Sequence, residues 1–185
     1  IGTHAANLAE YVSGLAIKEI AADLTAFVKG RRLDDDGNCL LRFSKGAKGL
    51  LHSSQISIGQ ENNLAIWVYG EDASLEWHQE HPNYLYVDTI NAPTQIWKRG
   101  NEYVGAKSES AGRCTRTPFG HPEAFLEAFA NNYLNFADTI RYREKRVKVP
   151  EVVSDFPGMK DGVAGMKFIE AVVKSSKKNA AWTKI

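Results

Sequence analysis

An α+β fold is predicted, built on a large, predominantly antiparallel open β-sheet with helices packed on one face and the other face available for oligomerisation. Three observations predict it. Five or six segments alternate apolar and polar residues and are joined by short turns, as antiparallel neighbours require. Helical spacing appears only at the two ends of that run, so strands and helices do not alternate as in βαβ units. And in NLAIWVYG and NYLYV both faces of the strand are apolar or aromatic: Leu64, Ile66 and Val68 on one side, Ala65, Trp67 and Tyr69 on the other. A sheet with one wet face would alternate more cleanly, so the second face asks for a cover, either the 101–121 segment or a second subunit.

The elements follow in order. Thr3 can cap a first helix, Leu8, Val12 and Leu15 continue one face, and Gly14 suits its end. IKEIAADLTAFV (17–28) alternates as a strand. NCLLRF and LLHSSQISI form a hairpin turning near Lys45 and Gly46, and Asp36-Gly37 reads as turn chemistry before it. NLAIWVYG (63–70) and ASLEWHQ (73–79) form a second hairpin, followed by strands at 83–89 and 94–100. Residues 101–121 show no clear period. A helix follows His121-Pro122, with Pro122 at its first position and Phe125, Phe129, Tyr133, Phe136 and Ile140 as one apolar stripe. The last helix starts near Met159, with Val163, Met166, Ile169 and Val173 on one face, and AAWTKI closes the chain as a short strand.

At 185 residues the chain has room for one domain with a sizeable core. Its 23 Lys and Arg balance 22 Asp and Glu, so neither nucleic acid nor an anionic membrane is expected as a partner. The basic run RYREKRVKVP fits the C-terminus of the helix it follows. Cys39 and Cys114 form no metal-like pair and read as free thiols, which makes the cytoplasm the default location. No apolar run approaches the ~20 residues that cross a bilayer, and no signal-peptide pattern leads the chain.

Several motifs weaken on inspection. LDDDG lacks the alternating ligands and distal Glu of a calcium loop. His78 and His81 have no third ligand in sight for zinc. The glycines of KGAKGLL and GNEYVG lack the spacing and the following helix of a dinucleotide loop, so no cofactor is expected on this chain itself. Two segments remain. GTHAANL puts His4 in the first turn of a helix, where an imidazole can accept a proton; taken alone, it reads better as a half-buried structural histidine. GRCTRTPFGHPEAFLEAFANNY is an irregular stretch with two Arg and a His leading into a strong helix, which is either a binding loop or an ordinary connection.

In this order, GTHAANLAEYVSGL, LDDDGNCLLRF, QENNLAIWVYGEDASLEW, GRCTRTPFGHPEAFLEAFANNY and DGVAGMKFIEAVVKSSKKNAAW resemble the C-terminal domain of the Gfo/Idh/MocA oxidoreductases, the glucose–fructose oxidoreductase and inositol dehydrogenase family. The resemblance covers essentially the whole chain. It implies a single C-terminal substrate-binding and oligomerisation domain over 1–185, with an N-terminal Rossmann domain, its Gly-rich loop and its catalytic Lys outside the chain. It implies NAD or NADP in the full-length protein and a sugar or polyol substrate. It also implies a homodimer or tetramer formed through the open sheet face.

His4 matches the His of the family's D-x-x-x-H pattern and is the expected catalytic residue. The Asp of that pattern would fall immediately before Ile1, so the chain is expected to be an excised domain, inactive by itself. Arg116 and His121 are the expected contacts to substrate hydroxyls. Asn7 either bonds substrate or fixes the helix, and Trp77 either stacks on a sugar or packs. The rival expectation is a stand-alone, non-catalytic ligand-binding or dimerisation module. A third is an enzyme-like scaffold lacking the Lys.

Overall fold

The computed structural model describes residues 2–185 and is α+β, with five α-helices and two four-stranded sheets. It forms two compact units: residues 2–66 with 158–185, and residues 67–157.

The first unit contains α1 (Gly2–Ser13), β1 (Ile17–Thr25), β2 (Asp36–Phe43), β3 (Lys48–Ser54), α5 (Met159–Ser176) and β8 (Thr183–Lys184). The sheet order is β3-β2-β1-β8, and its neighbouring strands pair antiparallel. Period-2 alternation sets its faces. Ile20 lies opposite Leu41 and Ala22 opposite Cys39, which faces Leu51 on the other side. These residues form the core with Ala6 of α1 and with Phe168, Ala171 and Val172 of α5. The opposite face carries Leu40 and Leu50, 53% and 75% exposed, in one cross-strand row with Ala21. Lys45 and Gly46 adopt positive φ in the β2–β3 connection, where the turn is expected.

Both helices of this unit present a different stripe from the one the spacing suggests. In α1 the buried residue is Ala6, while Val12 is exposed, because a small side chain lets the helix approach the sheet. Thr3 lies inside α1 rather than capping it, whereas Gly14, at φ +66°, does close it by donating to the Glu10 carbonyl. In α5, Val163, Met166 and Ile169 are exposed, and the core face is Phe168, Ala171, Val172 and Ser175. Ser175 accounts for that rotation. Its hydroxyl donates to the Ala181 carbonyl at 2.8 Å and accepts the Ala22 N–H at 2.9 Å, tying α5 to β1 and to the approach to β8.

Asp36-Gly37 is not a turn but the start of β2. A Cβ at Gly37 would stand 2.9 Å from Leu24 Cδ2, so a larger residue there would make the Leu24 side chain shift. The neighbouring Asp35 organises the 26–35 loop instead. Its buried carboxylate accepts the Phe27 N–H at 2.8 Å and the Val28 N–H at 3.0 Å, and Arg31 lies 3.4 Å away. The Phe27 N–H, then the Val28 N–H and Arg31, hold the carboxyl below its ordinary value against the opposing effect of burial. A depressed folded-state pKa contributes stability above the unfolded value, which is lost as pH falls through the folded one. Asp35→Asn is therefore expected to flatten the dependence of unfolding free energy on pH below about 4. Denaturant titrations at stepped pH check this, and an unchanged slope would contradict it.

The second sheet has the order β4-β5-β6-β7: β4 (Ala65–Tyr69), β5 (Ala73–His78), β6 (Tyr84–Thr89) and β7 (Gln95–Lys98). The unit boundary falls within β4. Trp77 pairs with Leu85, which pairs with Trp97 on the far side, and these three line one face. Trp67, Tyr69 and Ile96 are exposed.

Residues 101–113, expected to be irregular, instead form α2 (Glu102–Lys107) and α3 (Glu109–Arg113). Helices of six and five residues are too short to display a period of 3.6, and Ser108 caps the second by accepting the Ala111 N–H. The long helix α4 runs Phe125–Glu144, so Pro122 precedes it by three positions rather than opening it. The intervening Glu123 backbone is taken by Asn83 at both N–H and carbonyl. Glu127 then closes the helix start by accepting the Ala124 N–H at 2.9 Å. The α4 stripe from Phe125 to Ile140 is exposed, and the buried positions of that helix are Asn135 and Thr139. Arg141 and Arg143 stand in its last turn, as the basic run leads one to expect.

Candidate functional site

In the first unit the candidate residues lie on α1. A Cβ on Gly2 would come within 3.3 Å of Ser53 Oγ, so glycine keeps the helix start close to β3. His4 and Asn7, one turn apart, are both exposed, while Ala6 between them faces the core. His4 is thus not the half-buried structural histidine of the alternative reading. Below the helix start lies a cavity of about 210 Å³ lined by Thr3, Leu24, Cys39, Leu51, Ser53 and Phe168 among others. Burial pushes the Cys39 thiol up to about 11, so this cysteine is chemically quiet.

In the second unit the candidates lie on the loop between α3 and α4. Arg116 is exposed, and its Nε donates to Asn131 Oδ1 at 2.9 Å. His121 is exposed, with its ring Nδ1 3.3 Å from the Phe119 carbonyl. Its own carbonyl accepts from the Thr117 hydroxyl at 2.9 Å and from Arg99.

The loop is rigid for a reason that sequence reading missed. Arg99, immediately after β7, and Glu123, only 7% exposed, form an ion pair at 3.1 Å. Glu123 Oε1 also accepts the Arg116 N–H at 2.6 Å and the Thr117 N–H. The Arg99 guanidinium donates to Asn83 Oδ1, to the Thr117 carbonyl and to the Thr117 hydroxyl, at 2.9, 3.1 and 3.0 Å. Charge-assisted bonds of this kind fix geometry as well as energy. The backbone on which Arg116 stands is therefore held from beneath. The only sequence signal was a Glu immediately after His121-Pro122, and its partner Arg99 is remote in the chain.

Trp77, Trp97, Arg99, Glu123 and Asn131 line part of a cavity of about 330 Å³ in this unit. Its aromatic and amide composition suits a hydroxylated molecule. Much of its polar chemistry is committed internally, however: Trp77 Nε1 donates to the Pro82 carbonyl at 3.2 Å, and Asn131 Nδ2 to the Cys114 carbonyl at 3.0 Å. The Trp77 ring still lines the cavity, and the exposed guanidinium and imidazole of Arg116 and His121 meet solvent. Among the described residues no cluster of three or more His, Cys, Asp or Glu is placed to hold a metal ion, and no helix is long and apolar enough to cross a membrane.

Residues 1–76 match the GFO/IDH/MocA C-terminal domain. An uncharacterized oxidoreductase of Bacillus subtilis (strain 168) is 28% identical over 98% of this chain and 46% of its own length. An oxidoreductase structure from Sinorhizobium meliloti is 43% identical with a TM-score of 0.92, over 100% of this chain and 51% of its own. An inositol dehydrogenase homolog from Azotobacter vinelandii, complexed with NADH and myo-inositol, is 31% identical with a TM-score of 0.84, over 100% of this chain and 48% of its own. The chain spans about half the length of each of these relatives.

Proposed function

We propose, from the match of residues 1–76 to the GFO/IDH/MocA C-terminal domain and from the likeness in fold along the whole chain, that this is the substrate-binding and oligomerisation domain of an NAD(P)-dependent oxidoreductase of that family acting on a sugar or polyol. The observation that carries the reading is the likeness, at 31% identity over the full chain, to a structure holding NADH and myo-inositol together. Among the described residues the two sheets are antiparallel, unlike the parallel βαβ crevice a dinucleotide occupies. Nucleotide binding is accordingly assigned to the half of the relatives' length that these residues do not span.

Oxidation of a secondary alcohol breaks a C–H bond and an O–H bond. The nicotinamide, when bound, supplies the hydride acceptor. The remaining proton must leave the hydroxyl oxygen as the carbonyl forms. His4, exposed at the start of α1, is the group proposed to take it at an imidazole nitrogen. Asn7, one turn on, serves as a second hydrogen-bonding group toward substrate. Arg116 and His121 are proposed to bond the other hydroxyls, their loop held still by Glu123. Turnover of NAD(P) by the longer protein across a panel of sugars and polyols tests the reading, and no reaction with any of them would reject it.

Oligomerisation is proposed through the open sheet faces. Support comes from Leu40 and Leu50 on the first sheet and from Trp67, Tyr69 and Ile96 on the second, all exposed. Leu50→Arg combined with Tyr69→Arg is expected to shift the sedimentation coefficient to that of a monomer. An unchanged oligomer would place the subunit contact elsewhere.

A further inference from the structure

Helix α4 is amphipathic in the inverted sense. Its inward side is polar and fully engaged with its own unit. Asn131 holds Arg116 Nε and the Cys114 carbonyl. Asn135 accepts from Arg113 Nε at 3.0 Å and donates to the Asp155 carbonyl at 3.1 Å. Asp138 accepts from Arg113 at 2.7 Å, and the Thr139 hydroxyl donates to the Val153 carbonyl at 3.4 Å. The outward side carries Leu126, Phe129, Tyr133, Phe136 and Ile140, between 43% and 78% exposed. Their steps of three, four, three and four residues make a seam of the kind one helix offers another. Ala130 and Ala137 follow Phe129 and Phe136 along it, and small side chains there permit close approach.

So large an exposed apolar strip is costly in water unless something covers it. We infer that this seam docks the nucleotide-binding half of the longer protein, through an apolar helix or helix pair on that half. Such docking presupposes the longer, nucleotide-carrying protein proposed above. Two observations favour this occupant. A body about as long as this chain accompanies the matched stretch in its relatives, of which this chain spans 46% and 51%. The polar side of α4 also anchors the segment carrying Arg116, so a body seated on the outer side is fixed relative to the substrate contacts through a single helix. A polyol oxidised by hydride transfer needs that registration, because the reacting carbon must lie in contact with the nicotinamide.

The test is thiol alkylation of a Tyr133→Cys variant, read by peptide mapping, in the 185-residue chain and in the longer protein. Cys114, which is exposed, serves as the internal reference, and buried Cys39 stays unlabelled wherever the preparation is folded. The expected result is that the introduced thiol is labelled freely in the 185-residue chain and at least about tenfold more slowly in the longer protein, at every protein concentration. Equal labelling in both would overturn the inference. So would protection that grows with concentration in the 185-residue chain, which would assign the seam to a second copy. Polyol turnover is measured on the same longer protein before labelling. Turnover without protection removes the docking inference alone, whereas absence of turnover with every polyol and sugar removes the functional reading.

Discussion

Glu123→Ala is expected to destabilise residues 67–157 by about 3–5 kcal/mol, because it strands Arg99 in a mostly buried position without its counter-charge. The Arg99 side chain is 17% exposed and that of Glu123 5%, so solvent cannot replace the pairing. The same substitution frees the Arg116 and Thr117 N–H groups, each of which now ends on the Glu123 carboxylate. Glu123→Gln keeps an acceptor for those donors and removes only the charge, so its cost is expected to be smaller. Trp77 and Trp97 line the same cavity as this pair, and their fluorescence during denaturant unfolding reads the loss. A cost below about 1 kcal/mol for Glu123→Ala would mean that the pair is a surface-like contact of little worth. Because the candidate substrate contacts stand on this loop, the variant should also weaken substrate binding.

His4→Ala carries the second large effect. In the longer protein with saturating NAD(P), kcat is expected to fall by about 10²–10⁴, the usual range for removing a positioned acid–base group. Stability should change little, since His4 is exposed and its neighbour Ala6 makes the core contact. That contrast separates chemistry from folding. A loss in turnover under about tenfold, worth ~1.4 kcal/mol, would show that another group handles the proton.

The strands were legible in the sequence because period-2 alternation and turn residues are local signals. IKEIAADLT, YLYVDT and QIWK fall close to where alternation puts them, and Lys45-Gly46 turns as expected. What alternation could not reveal is how the ladder divides. The strands form two four-stranded sheets, and the terminal Thr183–Lys184 joins the first of them.

The three long helices α1, α4 and α5 were legible as helices, but the facing side was not, and the short α2 and α3 were not legible at all. In α4 the apolar stripe is correctly spaced and turned outward, because Asn131, Asn135 and Asp138 find partners at Arg116, Cys114, Arg113 and Asp155, which only the folded chain brings near. In α5 a single hydroxyl, Ser175, bonded on both sides, selects the buried face over an equally periodic row containing Met166. The same non-locality hid Arg99 and Glu123. His4 and the 112–133 segment were singled out from residue type, position and the family resemblance, whereas the Arg99–Glu123 pair beneath that segment is visible only in three dimensions.

The central claim is that residues 1–185 meet the hydroxylated substrate while another part of the protein holds the nucleotide. Calorimetric titration of the folded 185-residue chain with NAD⁺ and with NADP⁺ tests it most directly. No binding heat up to about 1 mM dinucleotide is the predicted result, and a Kd of about 1 μM for either would contradict it.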